Sequence, residues 1–371
     1  MRSPMQESVV LDELDLALIN CLEIDPRASW RRLGAALEVD PVTIARRWQR
    51  LSSTGTAWIT GRSVGHRTPE SCLAVVEVDC TTTRALDIAH RLAAWPHVLS
   101  VEHVSGNRAL TLFVEVLDMA SLSRFLLESL AAVPGIVATR THLVTKIFTM
   151  GDQWQLKVLD ASQLQRLHPR PGRTTKAGTG VRVPGSRPLD LVDRQLILCL
   201  GQDGRAALVD LASATGLSVS TVRRRLDDLI RRGDVVFRCD VALPQSGWPI
   251  AIWIWGYADP HDAETINTLL RKIPGTRVCL RISGGRPNLL LGIAARSLHE
   301  VPAVEAQLAL EAPRLTVLDR SMVLRFIKRM GRLLDGSGRS VRSVPMDIWS
   351  DPTLSVAEPP QEKPLGTAAR A

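Results

Sequence analysis

No run of apolar residues in the 371-residue chain approaches the roughly 18–20 that a membrane-spanning helix needs. The opening stretch MRSPMQESVV has neither the basic start nor the apolar centre of a secretory signal, so a cytoplasmic protein is expected. Six cysteines lie far apart, at 21, 72, 80, 199, 239 and 279, and no C-x-x-C pair occurs. That excludes the common zinc and dithiol motifs and leaves the thiols as small buried hydrophobes of a reducing compartment. Phosphate-binding loops, dinucleotide fingerprints, H-E-x-x-H and G-x-S-x-G contexts are missing as well. The sequence therefore gives no reason to expect a metal, a cofactor or a catalytic residue.

What is present is an apolar fraction of 45%, enough for real cores, and a net charge of +8 with a pI near 9.6. A basic balance suits a polyanionic partner. The excess is unevenly placed. Residues 11–61 carry six Arg against seven acids and residues 189–239 eight Arg against seven. Residues 160–188 and 325–343 each carry six bases against one acid. Folded parts that met a polyanion would have to do so with local patches.

The strongest signal is an internal repeat. VLDELDLALINCLEIDPRASWRRLGAAL aligns without gaps on PLDLVDRQLILCLGQDGRAALVDLASAT, an offset of 178 residues that sets Leu11 on Leu189. Asp12, Asp15, Leu18, Ile19, Cys21, Leu22, Asp25, Arg27, Ala28, Leu33, Thr43, Arg46, Arg47, Leu51 and Gly55 have identical partners at the same distance. So do Pro96 and the pair Ser105-Gly106. A unit of roughly 150 residues has been duplicated. Residues 160–188, rich in Pro, Gly, Thr and Arg, read as a basic flexible linker; residues 1–10 and 336–371 read as tails, the second disordered.

Each unit opens on helical periodicity (residues 11–62 and 189–240). Leu14, Leu18 and Leu22 recur every fourth residue until Asp25-Pro26 breaks the pattern. A second short helix follows, then a tight turn, Glu38-Val39-Asp40 or Gly216-Leu217-Ser218. Asp40 and Ser218 are suited to cap a third helix, with Pro41 at its first position. Ile44, Trp48 and Leu51, matched by Val222, Leu226 and Leu229, share one side of it. The other side carries Val42, Thr43, Arg46, Gln49 and Arg50, or Ser220, Thr221, Arg224, Asp227 and Asp228, with Arg47 and Arg225 at the flank. Hydroxyls in the first turn and arginine one turn later suit a helix that enters a major groove. The candidate DNA contacts are Val42, Thr43, Arg46, Arg47, Arg50, Ser218, Ser220, Thr221, Arg223, Arg224 and Arg225. The run Arg223-Arg224-Arg225 makes the second copy the stronger expected contact.

The rest of each unit (70–150 and 248–330) has a different period. Strand-like CLAVVEVD, a helix near 85–94, strands near 98–104 and 109–117, a helix near 119–132 and a strand near 136–148 give the order βαββαβ, the ferredoxin-like arrangement. The second copy repeats it from Ile250 to Ile327. The expected fold class is α+β: two winged helix-turn-helix domains, each followed by a ferredoxin-like domain.

This organisation resembles the Lrp/AsnC transcriptional regulators. The resemblance is carried by Leu189-Asp190-x-x-Asp193, Asp203-x-Arg205, Leu211-Ala212, Gly216-Leu217-Ser218-x-Ser220-Thr221-Val222-x-x-Arg225, Leu229 and Gly233. It implies a nucleoid-associated regulator of double-stranded DNA whose α/β domains dimerise through their sheets. It also implies an amino-acid or other small effector near the turn between the second and third strands. That turn commonly reads Gly-Asp; here it is Gly106-Asn107 and Gly284-Gly285, without the acid. Fusion of two units implies an intrachain pseudo-dimer, with homo-oligomers as a further option. Two alternatives stay open: an architectural DNA-coating protein, and an enzyme resembling sirohaem decarboxylases. The enzyme would draw on His97, His103 and Arg108, where the second copy offers Thr276, Arg281 and Arg286.

Overall fold

The computed structural model describes residues 11–64, 71–152, 154–167 and 187–353. The first copy begins with α1 (Glu13–Ile24), α2 (Trp30–Leu37) and α3 (Pro41–Ser53). Asp12 and Asp15 cap α1 reciprocally, each side chain accepting the other's backbone N–H. Leu18, Ile19 and Leu22 of α1 are fully buried against Leu33 of α2 and Ile44 and Leu51 of α3. The turn into α3 passes through Glu38 at φ 56°, which closes α2 in the left-handed region.

After α3 the chain continues as β1 (Ala57–Ser63), β2 (Cys72–Cys80), α4 (Ala85–Ala93), β3 (Val98–Val104), β4 (Leu110–Val116), α5 (Met119–Arg124) and β5 (Ile136–Thr149). Alternation along β2 explains its place. Ala74, Val76 and Val78 face α4 and α5, while Leu73 and Val75 face the opposite way into a second core. A short helix α6 (Ala161–Leu167) follows.

The second copy repeats the plan with α7 (Leu191–Gln202), α8 (Leu208–Thr215), α9 (Val219–Arg232) and β6 (Val235–Val241). Its α/β part comprises β7 (Ile250–Tyr257), α10 (Ala263–Leu270), β8 (Thr276–Ser283), β9 (Leu289–Ala295), α11 (Val301–Glu311) and β10 (Thr316–Arg329). A hairpin of β11 (Arg332–Leu334) and β12 (Ser340–Ser343) extends it.

The two copies are joined by backbone. The strand order β10-β3-β4-β2-β5-β8-β9-β7, with β10 also paired to β7, closes eight strands into a ring. The two 14-residue strands make the joins. β5 pairs with β2 through Leu143 and then with β8; β10 pairs with β7 through Met322 and then with β3. No edge of the eight is left to attract a foreign strand. The interior is a shared core of Leu73, Val75, Leu99, Phe113, Trp253, Trp255, Leu280, Ile282 and Leu290. Phe113 and Trp253, one from each copy, pack with ring centroids 5.2 Å apart.

The three-helix heads are joined as well. A wing would be a hairpin within each head, but each head supplies a single strand before its chain leaves for the barrel. β1 and β6 therefore pair with each other, antiparallel, from Ala57 opposite Val241 to Ser63 opposite Val235, with Thr60 opposite Arg238.

Two segments expected to be loose are built in. Residues 161–167 form α6, whose Leu167 is fully buried in the first head's core. The expected linker stretch 168–186 lies outside the described residues. Residues 336–353 pack on the barrel, anchored by buried Met346 and Ile348. The Ser350 carbonyl bonds His97 Nε2 at 2.9 Å. Counting charges and turn formers marked this stretch as a tail; the few apolar anchors decide otherwise. Cys21, Cys72, Cys239 and Cys279 are buried thiols outside any disulfide, and Cys80 and Cys199 are partly buried.

Candidate nucleic-acid interface

The candidate surface is made by α3 and α9. Each is pinned by three apolar residues: Ile44, Trp48 and Leu51, or Val222, Leu226 and Leu229, all buried. Each is capped at its start. The Asp40 carboxylate accepts from the Val42 N–H at 2.8 Å, and Ser218 Oγ accepts from the Thr221 N–H at 3.2 Å. The Ser218 hydroxyl also sits 3.0 Å from Ser220 Oγ and 2.9 Å from Thr221 Oγ1, so the cap and the first-turn hydroxyls form one network.

The expected contact residues divide into two groups. Val42 (66% exposed), Thr43, Arg46, Ser220, Arg223 and Arg224 stand in solvent on the outer face. Ser218 is exposed at its cap, and Thr221 is half-buried beside it. Arg47, Arg50 and Arg225 are engaged within the protein. Arg47 bonds Asp12 and lies 3.0 Å from Asp15, and Arg50 reaches Asp15 at 2.6 Å. In the second copy Arg225 binds Asp190 at 2.7 Å and Asp193 at 2.9 Å, with Arg187 also on Asp193. The hydrogen bonds to Asp12 and Asp15 raise the pKa of Arg47, and those to Asp190 and Asp193 that of Arg225. These arginines lock the start of the first helix to the third. On α9 the acid Asp228 is covered by Arg231 and Arg232.

The repeated arginine of the Asp-x-Arg motif, to which the sequence assigned no role, proves structural. Arg27 donates to the Gly204 carbonyl at 2.6 Å and the Ala206 carbonyl at 3.1 Å. Arg205, its counterpart, donates to the Pro26 carbonyl at 2.7 Å and the Ala28 carbonyl at 2.8 Å. Arg205 stacks on Trp30 at 3.9 Å, and Arg27 lies over Phe237 at 5.7 Å. The reciprocal pair, together with the β1–β6 ribbon, fixes one head against the other and so fixes the spacing of α3 and α9. The Asp-x-Arg motif, present twice, was the available signal.

At the far end of the barrel, Gly106 (φ +97°) and Gly284 (φ +133°) form the two turns, exposed along with Asn107 and Gly285. A side chain at Gly284 would come within 2.4 Å of the Thr141 carbonyl oxygen, so that position needs glycine on steric grounds alone. Beneath the first turn Arg108 is buried, with Nε 3.0 Å from Glu77 and a further bond to Asp319; His142 Nε2 lies 3.1 Å from the same Glu77. His97 and Arg108 flank β3 at opposite ends, separated by about 20 Å of extended chain. His97 is fully buried, and burial holds its pKa down. These residues, with half-buried His103 between them on β3, do not converge on one site.

Comparison with known proteins follows the same division. The AsnC-type helix-turn-helix domain matches twice, over residues 11–52 and 189–230, and the Lrp/AsnC ligand binding domain matches residues 73–154. The chain belongs to the Lrp/AsnC family. As a tandem member it is longer than its relatives. An uncharacterized HTH-type transcriptional regulator of Pyrococcus horikoshii is 29% identical over 153 residues, 40% of this chain and 94% of that protein. The HTH-type transcriptional regulator FL11 of the same organism is 27% identical over 143 residues, covering 37% of this chain and 91% of its own. The siroheme decarboxylase NirDL shares the fold at whole-chain scale, with a TM-score of 0.55 at 13% identity over 86% of this chain and 93% of its own.

Proposed function

We propose that this tandem Lrp/AsnC protein is a sequence-specific transcriptional regulator that reads two DNA half-sites with α3 and α9 of a single chain. The observation that carries the reading is the reciprocal Arg27–Arg205 clamp. With the β1–β6 ribbon it makes the two heads one rigid reader with a set spacing, which is what paired half-sites require. In this reading Thr43, Arg46, Ser220, Arg223 and Arg224 meet bases and phosphates, while Arg47, Arg50 and Arg225 hold the reading helices in place. The barrel is the family's sheet-to-sheet dimer made within one chain, and an effector such as an amino acid acts near the 106–107 and 284–285 turns. The protein works in the cytoplasm on the nucleoid; no helix among the described residues is long and apolar enough to cross a membrane.

Footprinting on genomic fragments tests this. A localised footprint with two protected half-sites supports the reading, and uniform coating points to an architectural protein instead. The likeness to a siroheme decarboxylase raises one enzymatic alternative, which visible absorbance changes on adding sirohaem would reveal.

A further inference from the structure

The barrel interior holds a cavity of about 90 Å3 at the end facing the heads, opposite to the two turns. One wall is apolar, with Leu73, Leu99, Phe113 and Ile293; another carries three guanidiniums, of Arg238, Arg277 and Arg329. Buried charges are ordinarily paired one to one. Here a single carboxylate, Asp240, serves two of the three, at 2.7 Å from Arg238 and 3.1 Å from Arg329. Arg277 rests on the Trp154 ring at 3.9 Å, and its Nε and Nη2 are buried without a hydrogen-bond partner.

The remaining acids nearby do not restore the balance. Glu102 is buried, accepts from the Trp253 indole, and is pushed up by burial to about 7. Glu23 is pushed up by burial to about 8 and is taken by the Leu156 N–H and Asn20. Asp152 lies near Arg62 at 4.0 Å. Burial and repulsion from Arg329 and Arg238 lower Arg277 to about 9, still charged at neutral pH. The cations also belong to one copy. Under the 178-residue offset, Thr60, Leu99 and Gly151 stand where Arg238, Arg277 and Arg329 do.

We propose that this cavity is a ligand site for a compact organic dicarboxylate, held by Arg277 with Arg238 and Arg329 and packed by its carbons on the apolar wall. Unpaired N–H donors supply the charge-assisted bonds, and the apolar wall favours a carbon skeleton over an inorganic oxyanion. Arg238 lies on β6, the ribbon strand of the heads, whereas Arg277 and Arg329 lie on barrel strands. A bound dianion would therefore tie the heads to the barrel. That coupling rests on the regulator reading; the site itself does not.

Calorimetric titration of the full chain with succinate, its neutral diamide and inorganic phosphate tests the site. One succinate binds per chain, the diamide is silent, and phosphate binds at least about tenfold more weakly. Arg277→Gln weakens succinate about 10- to 100-fold, and Arg277→Lys restores part of the loss. Because it removes an uncompensated charge, Arg277→Gln also raises the Tm of the ligand-free chain. Silent succinate, unchanged affinity in Arg277→Gln, or a lowered Tm or failure to fold in that variant overturns the proposal. Phosphate binding more tightly than succinate overturns its organic class. A mobility shift with and without succinate then addresses the coupling: succinate that binds without changing DNA affinity overturns the coupling and leaves the site standing.

Discussion

At the scale of single residues, the same side chain does opposite work according to what it faces. Arg46 and Arg224 stand in solvent, whereas Arg47 and Arg225, next in sequence, are spent on the caps of α1 and α7. Arg224→Ala should cost about 1–3 kcal/mol of DNA affinity and lower the salt slope by about 1, read in titrations at several salt concentrations. Arg46→Ala should cost less, because the second copy offers Arg223 beside Arg224. The residue scale is also where the sequence was least legible. The basic run 325–343 straddles the expected end of the second α/β domain at 330, and its charge count gave no hint of burial, yet Lys328 is fully buried with the Trp95 carbonyl as its partner at 2.8 Å, and Arg329 and Arg339 are buried too. Counting charges cannot tell which cations a strand turns inward. Burial lowers Lys328 to about 7 from its usual 10.5. The folded state then binds fewer protons than the unfolded state between those values, so this lysine makes stability rise as pH climbs from about 7 to 10.5. Lys328→Met should stabilise the chain by about 1–3 kcal/mol near pH 6 and flatten that rise, measured by denaturant unfolding across pH.

At the scale of elements, periodicity was a good guide. The apolar triads of α3 and α9 and the strands from 98 to 104 and from 250 to 257 lie where spacing put them. Caps carry this predictability, and they can be tested. Ser218→Ala removes the α9 cap and should cost about 1 kcal/mol, whereas Ser218→Asp should keep most of it, as thermal unfolding would show. Asp15→Ala should cost more, about 2 kcal/mol, because Asp15 both closes the α1 capping box and anchors Arg47 and Arg50. What element-level reading missed was partnership. Nothing in the local pattern of 57–63 says that its ladder lies 178 residues away rather than in a hairpin of its own.

At the scale of the whole molecule, the repeat announced two units, and the structure joins them into one body. Either barrel half alone would expose two long edges, so its stability depends on the other half. A chain cut at an engineered site between 168 and 186 should remain a single compact particle in light scattering, and separation into two would contradict the joined architecture. Arg27→Ala with Arg205→Ala should leave the barrel folded but loosen the spacing between heads. The expected result is a loss of affinity for paired half-sites with little change for an isolated one, compared by mobility shift. The sequence shows the two donors of this clamp, as the repeated Asp-x-Arg, but not their acceptors, which are backbone carbonyls and carry no residue identity.

The ribbon of β1 and β6 has one more consequence. Thr60 and Arg238 are repeat equivalents and sit face to face on the axis relating the copies. In an assembly of two identical subunits, a residue on that axis meets itself, and an arginine there would confront an arginine. Covalent fusion lifts that rule. One gene can put a cation on the axis and a hydroxyl opposite it, opening positions that are closed to any symmetric dimer of the same fold.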